Sequence, residues 1–313
     1  MKIDKYYCSP SVNDKNPTCL SKESLKHLID CYNNSKQKKQ QKIIYYDNNS
    51  QLDLFKKLDN KMKKLTKGSG KYWFWPNIIK KLKPINNNNF IINIKNIEKF
   101  ELKPEKPSEW LKNSKEWLSN YDINDIMNQY NKNKSYYYSY IGTFSIDFAV
   151  KNSLGKCLYS NFCNINIKKD YIDKNIKYIG FITNLDKHNE PGSHWTSTFI
   201  IIDHTNNSYG AYYYDSVARK IPILILNFLN NIKNQCNKLY PNKKFIIDYN
   251  KKQHQFQNTE CGIFSIIYQI RWLNLLKRNK NPKLINIINN DNLTDNNANE
   301  IRNSLYRPNI KEL

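Results

Sequence analysis

Three short segments decide the fold of this chain: Gly192-Ser193-His194-Trp195, Tyr214-Asp215-Ser216 and Gln255-Phe256-Gln257-Asn258-Thr259-Glu260-Cys261-Gly262. In that order they supply a base, a carboxylate that can orient the base, an amide donor and a thiol. A thiol nucleophile needs a neighbouring base, a partner that holds the base in one tautomer, and hydrogen-bond donors for the oxyanion of the covalent intermediate. The stretch therefore contains every group that thiol-based acyl transfer requires.

The residues around His194 predict a β-hairpin, and the hairpin selects the carboxylate. Residues 178–184, 195–203 and 210–214 are rich in aromatic and β-branched residues, and a turn composition separates the last two. Asp203 follows His194 along one extended strand at a distance of roughly 30 Å, at ~3.3 Å per residue, and is excluded. The returning strand brings Asp215 opposite residue 196 or 197, close to His194. Asp215 is the predicted orienting acid.

The thiol and its donor lie in the third segment. Cys261 stands where a polar loop meets a long apolar pattern that predicts a helix, and a helix N-terminus favours a thiolate. Gly262 is expected to leave room for a substrate backbone. Gln255, six residues before Cys261, is the predicted oxyanion donor together with the Cys261 backbone N–H, and Gln257 is its rival. His254 is a second candidate base, but it would act from the same loop as the thiol without an identifiable acid.

Composition limits the class of protein, the compartment and the partners that the chain can have. A chain of 313 residues with 39% hydrophobic content can form sizeable cores, and no apolar run approaches the ~20 residues that cross a bilayer. Seven Cys with no CxxC pair predict free thiols in a reducing compartment. Cys157 and Cys163 match no zinc spacing, so we expect neither a metal nor a cofactor. The formal net charge of +23 is spread along an Asn-rich and Tyr-rich chain, which leaves a weak contact to DNA or another polyanion as an open alternative.

The chain is predicted to divide near residue 108. Apolar residues at helical spacing in 25–32 and 54–65 predict amphipathic helices in a basic first part, and Pro104 and Pro107 favour extended chain at its end. The aromatic cluster at 72–75 is either core or a contact surface. We expect a helical, basic arm domain over residues 1–108 and a catalytic α+β domain over residues 109–313.

Together these residues resemble one family, the ubiquitin-like-protein proteases, which include the SUMO-specific proteases and the adenovirus endopeptidase. The family has a histidine-tryptophan pair, an aspartate or asparagine before serine, a glutamine six residues before the nucleophile, and a cysteine-glycine pair. These features correspond to His194-Trp195, Asp215-Ser216, Gln255 and Cys261-Gly262. Within the family, the likeness is closest to the polyprotein-processing proteases of large DNA viruses, and it extends to residues 19–22 and 118–123.

The resemblance implies a papain-like fold, with a central mixed sheet flanked by helices and a helical N-terminal arm domain. It also implies a thiol protease of the virion and the viral factory in the host cytoplasm, whose partners are structural precursor proteins cut after Gly-Gly during maturation. A tunnel walled by tryptophan admits only residues without side chains; Trp195 is the expected wall, and Trp117 a second one. Two alternatives stay open: a deconjugating protease for SUMO and other ubiquitin-like modifiers, and a non-catalytic basic scaffold that binds DNA or capsid proteins.

Overall fold

The computed structural model describes residues 3–35, 42–68, 71–82, 88–278, 287 and 293–312. The chain forms two compact units, one made of residues 1–114 and 303–313 and the other of residues 115–302. The sequence predicted a single boundary at 108 with everything after it in the catalytic domain. The chain instead leaves the first unit six residues later and returns to it at residue 303.

Arg307 holds the returning C-terminal segment in the first unit. Its guanidinium donates to the backbone carbonyls of Lys103 and Trp73 and lies 3.2 Å from the Glu105 carboxylate. Residues 105 and 307 also form an isolated parallel bridge. Proline spacing reports only on the local chain, so this long-range return was not visible in the sequence.

The first unit is helical, as predicted. Serines 21 and 50 cap its first two helices, and the apolar residues at helical spacing are buried. The aromatic residues 72–75 are part of the same core. The helices are α1 (Lys22–Asn33), α2 (Gln51–Leu65), α3 (Trp75–Lys81) and α4 (Asn88–Phe100).

Four of the seven cysteines are paired, so the prediction of free thiols throughout was wrong. Cys8 is bonded to Cys19, and Cys157 to Cys163. Cys8 pairs with Leu102 in an antiparallel bridge, and the chain turns back after it, which brings Cys19 within 4.9 Å between Cα atoms. Spacing alone does not reveal such a return. The remaining thiols are those of Cys31, Cys236 and Cys261.

The second unit contains a mixed sheet flanked by helices, which confirms the predicted α+β class. The strands lie in chain order, with parallel pairs at the two edges and antiparallel pairs between them. They are β1 (Tyr138–Ser145), β2 (Tyr178–Asn184), β3 (Trp195–Ile201), β4 (Gly210–Tyr214) and β5 (Ile246–Tyr249). The helices are α5 (Asn120–Lys132), α6 (Ser160–Cys163), α7 (Ile167–Asp170), α8 (Ile223–Leu239) and α9 (Cys261–Lys277), followed by α10 (Asp295–Leu305), whose last three residues are grouped with the first unit.

A buried amide fixes α9 across the sheet. Gln269 Oε1 accepts from the Tyr138 hydroxyl at 2.9 Å, and its Nε2 donates to Ser197 Oγ at 2.7 Å and to the Thr198 carbonyl at 2.8 Å. These contacts join α9 to β1 and β3, so the position of Cys261 at the start of α9 is set relative to the strand that follows His194. None of the helices in the described part of the chain is long and apolar enough to cross a membrane.

Candidate active site

The hairpin brings His194 and Asp215 together at the end of the sheet. The β3–β4 register pairs Ser197 with Tyr214, so the next residue, Asp215, lies level with Thr196. His194 Nε2 is 2.7 Å from Asp215 Oδ1. The carboxylate side chain is fully buried, and 12% of the imidazole side chain is exposed. Because Nε2 faces the carboxylate, Nδ1 is the ring nitrogen that remains for the thiol.

The surroundings of His194 favour its protonated form. Burial alone would lower the pKa of the imidazole, but hydrogen bonds and negative charge from Asp215 and Cys261 outweigh it and raise the pKa to about 9, from an ordinary value of 6.5. At neutral pH the ring therefore carries a proton, which suits an imidazolium beside a thiolate.

Asp215 is itself fixed by a residue that the sequence did not single out. Asn250 Oδ1 accepts from the Asp215 backbone N–H at 2.9 Å, and Asn250 Nδ2 donates to the Asp215 carbonyl at 2.7 Å. The Val217 N–H also donates to Asp215 Oδ1, at 3.0 Å. Asn250 lies on the chain just after β5 and belongs to no recognisable motif, so the parallel pairing of β4 and β5 is what reveals its role.

Cys261 is the first residue of α9, and its side chain is buried. The Glu260 carbonyl accepts the first helical hydrogen bond, from the Phe264 N–H at 2.9 Å. The sulfur therefore lies at the positive end of a 17-residue helix, where a negative charge is stabilised. This is the local geometry that the meeting of polar loop and apolar pattern predicted.

Gln255 is buried, six residues before Cys261 in the chain, whereas Gln257 is exposed. Gln255 Oε1 accepts from Ser216 Oγ at 2.6 Å, which fixes the orientation of the amide, and Nε2 donates to the Gln257 carbonyl at 2.5 Å. An amide nitrogen carries two hydrogens, so the second remains to donate to an oxyanion. Spacing and burial thus favour the same glutamine.

His254, the second candidate base, is occupied elsewhere. Its Nδ1 is 3.0 Å from the Tyr214 hydroxyl, and its ring stacks on the Tyr214 ring. The side chain is buried. This arrangement gives His254 a hydrogen-bond and stacking partner in β4.

Gly262 makes room for Leu118, not for the substrate backbone that the sequence suggested. A Cβ at Gly262 would lie 3.0 Å from Leu118 Cβ and 3.1 Å from Leu118 Cδ1. Leu118 is buried, and its carbonyl accepts from the Trp195 indole N–H at 2.9 Å. The glycine therefore allows the segment that carries Trp117 to lie directly on the start of α9.

Trp117 and Trp195 line one cleft of about 510 Å³. Trp117 is 48% exposed, so its ring is available to a ligand. The loop after β2 forms another part of the cleft. Asn184 Oδ1 accepts from the Ser193 N–H, and Gly192 has a φ of +92° that a side chain would strain. The two predicted wall residues thus share one site, next to His194 along the chain and next to Cys261 through the contact of Leu118 with Gly262.

In the described part of the chain, no three or more His, Cys, Asp or Glu residues are grouped as a metal site would require.

The fold of this chain is similar to that of a viral protease of known structure. The crystal structure of the African swine fever virus protease matches with a TM-score of 0.57 at 16% sequence identity, over 96% of this chain and 96% of that chain. A second crystal structure of the same protease, in selenomethionine form, has a TM-score of 0.55 at 17% identity. The likeness in fold therefore covers nearly the full length of both chains.

Sequence comparison finds relatives with matching names. The chain is 35% identical over 167 residues to a putative thiol protease of Acanthamoeba polyphaga mimivirus, across 53% of this chain and 51% of the relative. It is 22% identical over 163 residues to a cysteine protease of African swine fever virus, across 48% of this chain and 56% of the relative. The chain spans about half the length of the curated relatives it matches, and no protein-family model matches it. These comparisons confirm the predicted resemblance to viral cysteine proteases.

Proposed function

We propose that this protein is a cysteine endopeptidase in which Cys261 is the nucleophile. The Cys261 sulfur attacks the scissile carbonyl, and the oxyanion accepts from the Cys261 backbone N–H and from Gln255 Nε2. The His194 imidazolium then donates its proton to the leaving amine as the C–N bond breaks. Water attacks the thioester, His194 accepts the proton of that water, and release of the acid product regenerates the thiolate. Asp215 holds the ring throughout.

One observation carries the proposal. A buried carboxylate lies 2.7 Å from a histidine whose pKa is raised by both that carboxylate and a thiol at a helix N-terminus. A histidine with only a structural role would need neither the carboxylate nor the thiol as a neighbour. The names of the viral relatives support the same class of chemistry.

The proposed substrates are structural precursor proteins of a large DNA virus, cut after Gly-Gly in the viral factory of the host cytoplasm and in the virion. Trp117 and Trp195 support this choice because they line one cleft and Trp195 directly follows His194 in the chain, and flat aromatic walls leave space for residues that lack side chains. A weak contact between the basic surface and DNA is part of the proposal and is supported by the net charge of +23.

Peptides of the form Gly-Gly-X, matched Ala-Ala-X peptides and a SUMO conjugate test the proposal together. We expect cleavage of the Gly-Gly peptides, with loss of at least about 10³-fold in the Cys261→Ala variant, because the covalent step is removed. Cys236→Ala is the matched control: it also removes a buried thiol, from α8, and should keep the activity.

Each other outcome points to a different function. Cleavage of the SUMO conjugate alone would assign deconjugation. Equal cleavage of the Ala-Ala peptides would remove the proposed role of the two tryptophans. No cleavage, together with no reaction of Cys261 with a thiol-directed peptide aldehyde, would leave the non-catalytic scaffold.

A further inference from the structure

Helix α10 contacts the segment of residues 255–261, which ends at Cys261, at two points. Asp295 Oδ2 accepts from the Phe256 backbone N–H at 2.9 Å, directly after Gln255. Arg302 Nη2 lies 3.3 Å from Glu260 Oε2 and donates to the Thr259 carbonyl at 3.4 Å, directly before Cys261. Asp295 and Arg302 are seven residues apart, which is two turns, so they share one face of α10.

Arg302 also reaches the wall of the cleft. Its Nη1 donates to the Glu116 carbonyl at 2.6 Å. Glu116 precedes Trp117, and the carbonyl that follows Trp117, on Leu118, accepts from the Trp195 indole. The exposed wall residue is therefore held on both sides through the backbone, and one of the two holding groups is Arg302.

The ion pair between Arg302 and Glu260 fixes the positions of chain segments more than it stabilises the fold. The Arg302 and Glu260 side chains are each 1% exposed. A buried ion pair costs desolvation and adds little net stability over apolar residues of the same size, whereas removing one partner is strongly destabilising. A planar guanidinium can bond several acceptors in fixed directions, and here the acceptors belong to two separate segments of the chain.

We propose that Arg302 is a positioning residue of the active site, which joins the segment before Cys261 to the segment that carries Trp117. The inference rests on the proposed protease function for its effect on catalysis. Arg302 contacts neither His194 nor Asp215 through any of these bonds, so it acts on where the nucleophile and the cleft wall lie. A displacement of about 1 Å in such a framework can cost about 10²-fold in rate.

Arg302→Lys tests the geometry while keeping the charge. A lysine has a single ammonium and cannot serve the Glu116 carbonyl, the Thr259 carbonyl and the Glu260 carboxylate together. We expect kcat for a Gly-Gly-X peptide to fall roughly 10–100-fold.

A double variant and a control separate positioning from folding. Arg302→Met with Glu260→Gln removes both buried charges, so neither is left unpaired, and should show the same loss of kcat. Arg307→Lys alters another buried arginine, whose partners all lie in the first unit, and should leave kcat unchanged. Wild-type kcat in both Arg302 variants would overturn the inference.

Amide hydrogen exchange decides the inference without any substrate. Exchange in residues 255–261 and 116–118 should become faster in Arg302→Lys and stay at the wild-type rate in Arg307→Lys. Unchanged exchange in the Arg302 variant would contradict the positioning role even if the wild type cleaves peptides. Faster exchange in a protein that cleaves no peptide would instead uphold the positioning role and reject the proposed function.

Discussion

At the residue scale, the charge of Asp215 governs the protonation of His194. The carboxylate is fully buried and 2.7 Å from the ring, and it is one of the two groups that raise the pKa of His194 to about 9. If the reactive form is the imidazolium with the thiolate, activity should persist through neutral pH and fall as pH rises through about 9.

Asp215→Asn should shift this alkaline limit downward. The asparagine keeps a hydrogen-bond acceptor at the same place but removes the negative charge, so the pKa of His194 drops. The pH dependence of kcat/KM, measured from about pH 5 to about pH 10, should show the fall beginning at lower pH in the variant. An unchanged alkaline limb would mean that the carboxylate orients the ring without charging it.

The pairing of His194 with Asp215 also makes the free energy of unfolding depend on pH. A histidine whose folded pKa lies above its unfolded value contributes stability that is fully present below about pH 6.5 and is lost as pH rises through about 9. In Asp215→Asn the loss of stability should be complete at a lower pH than in the wild type, because the pKa of His194 in the folded protein is lower. Urea unfolding of the wild type and the variant across the window provides the comparison.

Among individual residues, those that the sequence predicted are the ones that motif and strand geometry define. His194 and Asp215 followed from the hairpin, and Gln255 and Cys261 from their spacing and the start of a helix. Asn250 and Arg302 could not be predicted because their partners lie far away in the chain, and most of these partners are backbone groups, which every residue carries.

At the element scale, α9 carries Cys261, the proposed nucleophile, and the hydrogen bonds of Gln269 hold this helix to the sheet. Gln269→Met keeps the volume but removes the amide, which leaves the Tyr138 hydroxyl, Ser197 Oγ and the Thr198 carbonyl without these bonds. Unsatisfied buried polar groups cost about 1–3 kcal/mol each, so the free energy of unfolding should fall by at least that amount. Tyr138→Phe, which removes only one of the bonds, is the matched control and should cost about 1 kcal/mol.

Chemical denaturation followed by circular dichroism measures both Gln269 and Tyr138 variants. Equal losses in the two would mean that the hydroxyl bond alone holds α9.

The strands, the hairpin and the start of α9 could be predicted because each has its own period and turn chemistry. The role of Gly262 could not, because the side chain that fills its space, Leu118, comes from a segment far away in sequence.

At the scale of the whole molecule, the chain crosses between its two units twice. The sequence predicted one boundary near residue 108, because prolines mark extended chain, and the first stretch of the first unit runs to residue 114. The second crossing depends on Arg307 and its acceptors in residues 73–105, which lie some 200 residues earlier. A boundary made by long-range contacts has no local composition shift, so the sequence did not reveal that residues 303–313 group with the first unit.

The C-terminal segment should therefore stabilise the first unit, although it lies at the far end of the chain. A protein truncated after Leu305 loses Arg307, so the carboxylates of Glu98 and Glu105 lose a buried cation, and the Trp73 carbonyl loses a donor. Removing one partner of such a buried pair costs about 3–5 kcal/mol. A chain that ends at Ile310 keeps Arg307 and serves as the control. In urea, the tryptophan fluorescence of the shorter chain should show an additional early transition, while iodoacetamide labelling of Cys261 stays unchanged before it. Coincident unfolding of the two truncated chains would show that Arg307 adds nothing to the first unit.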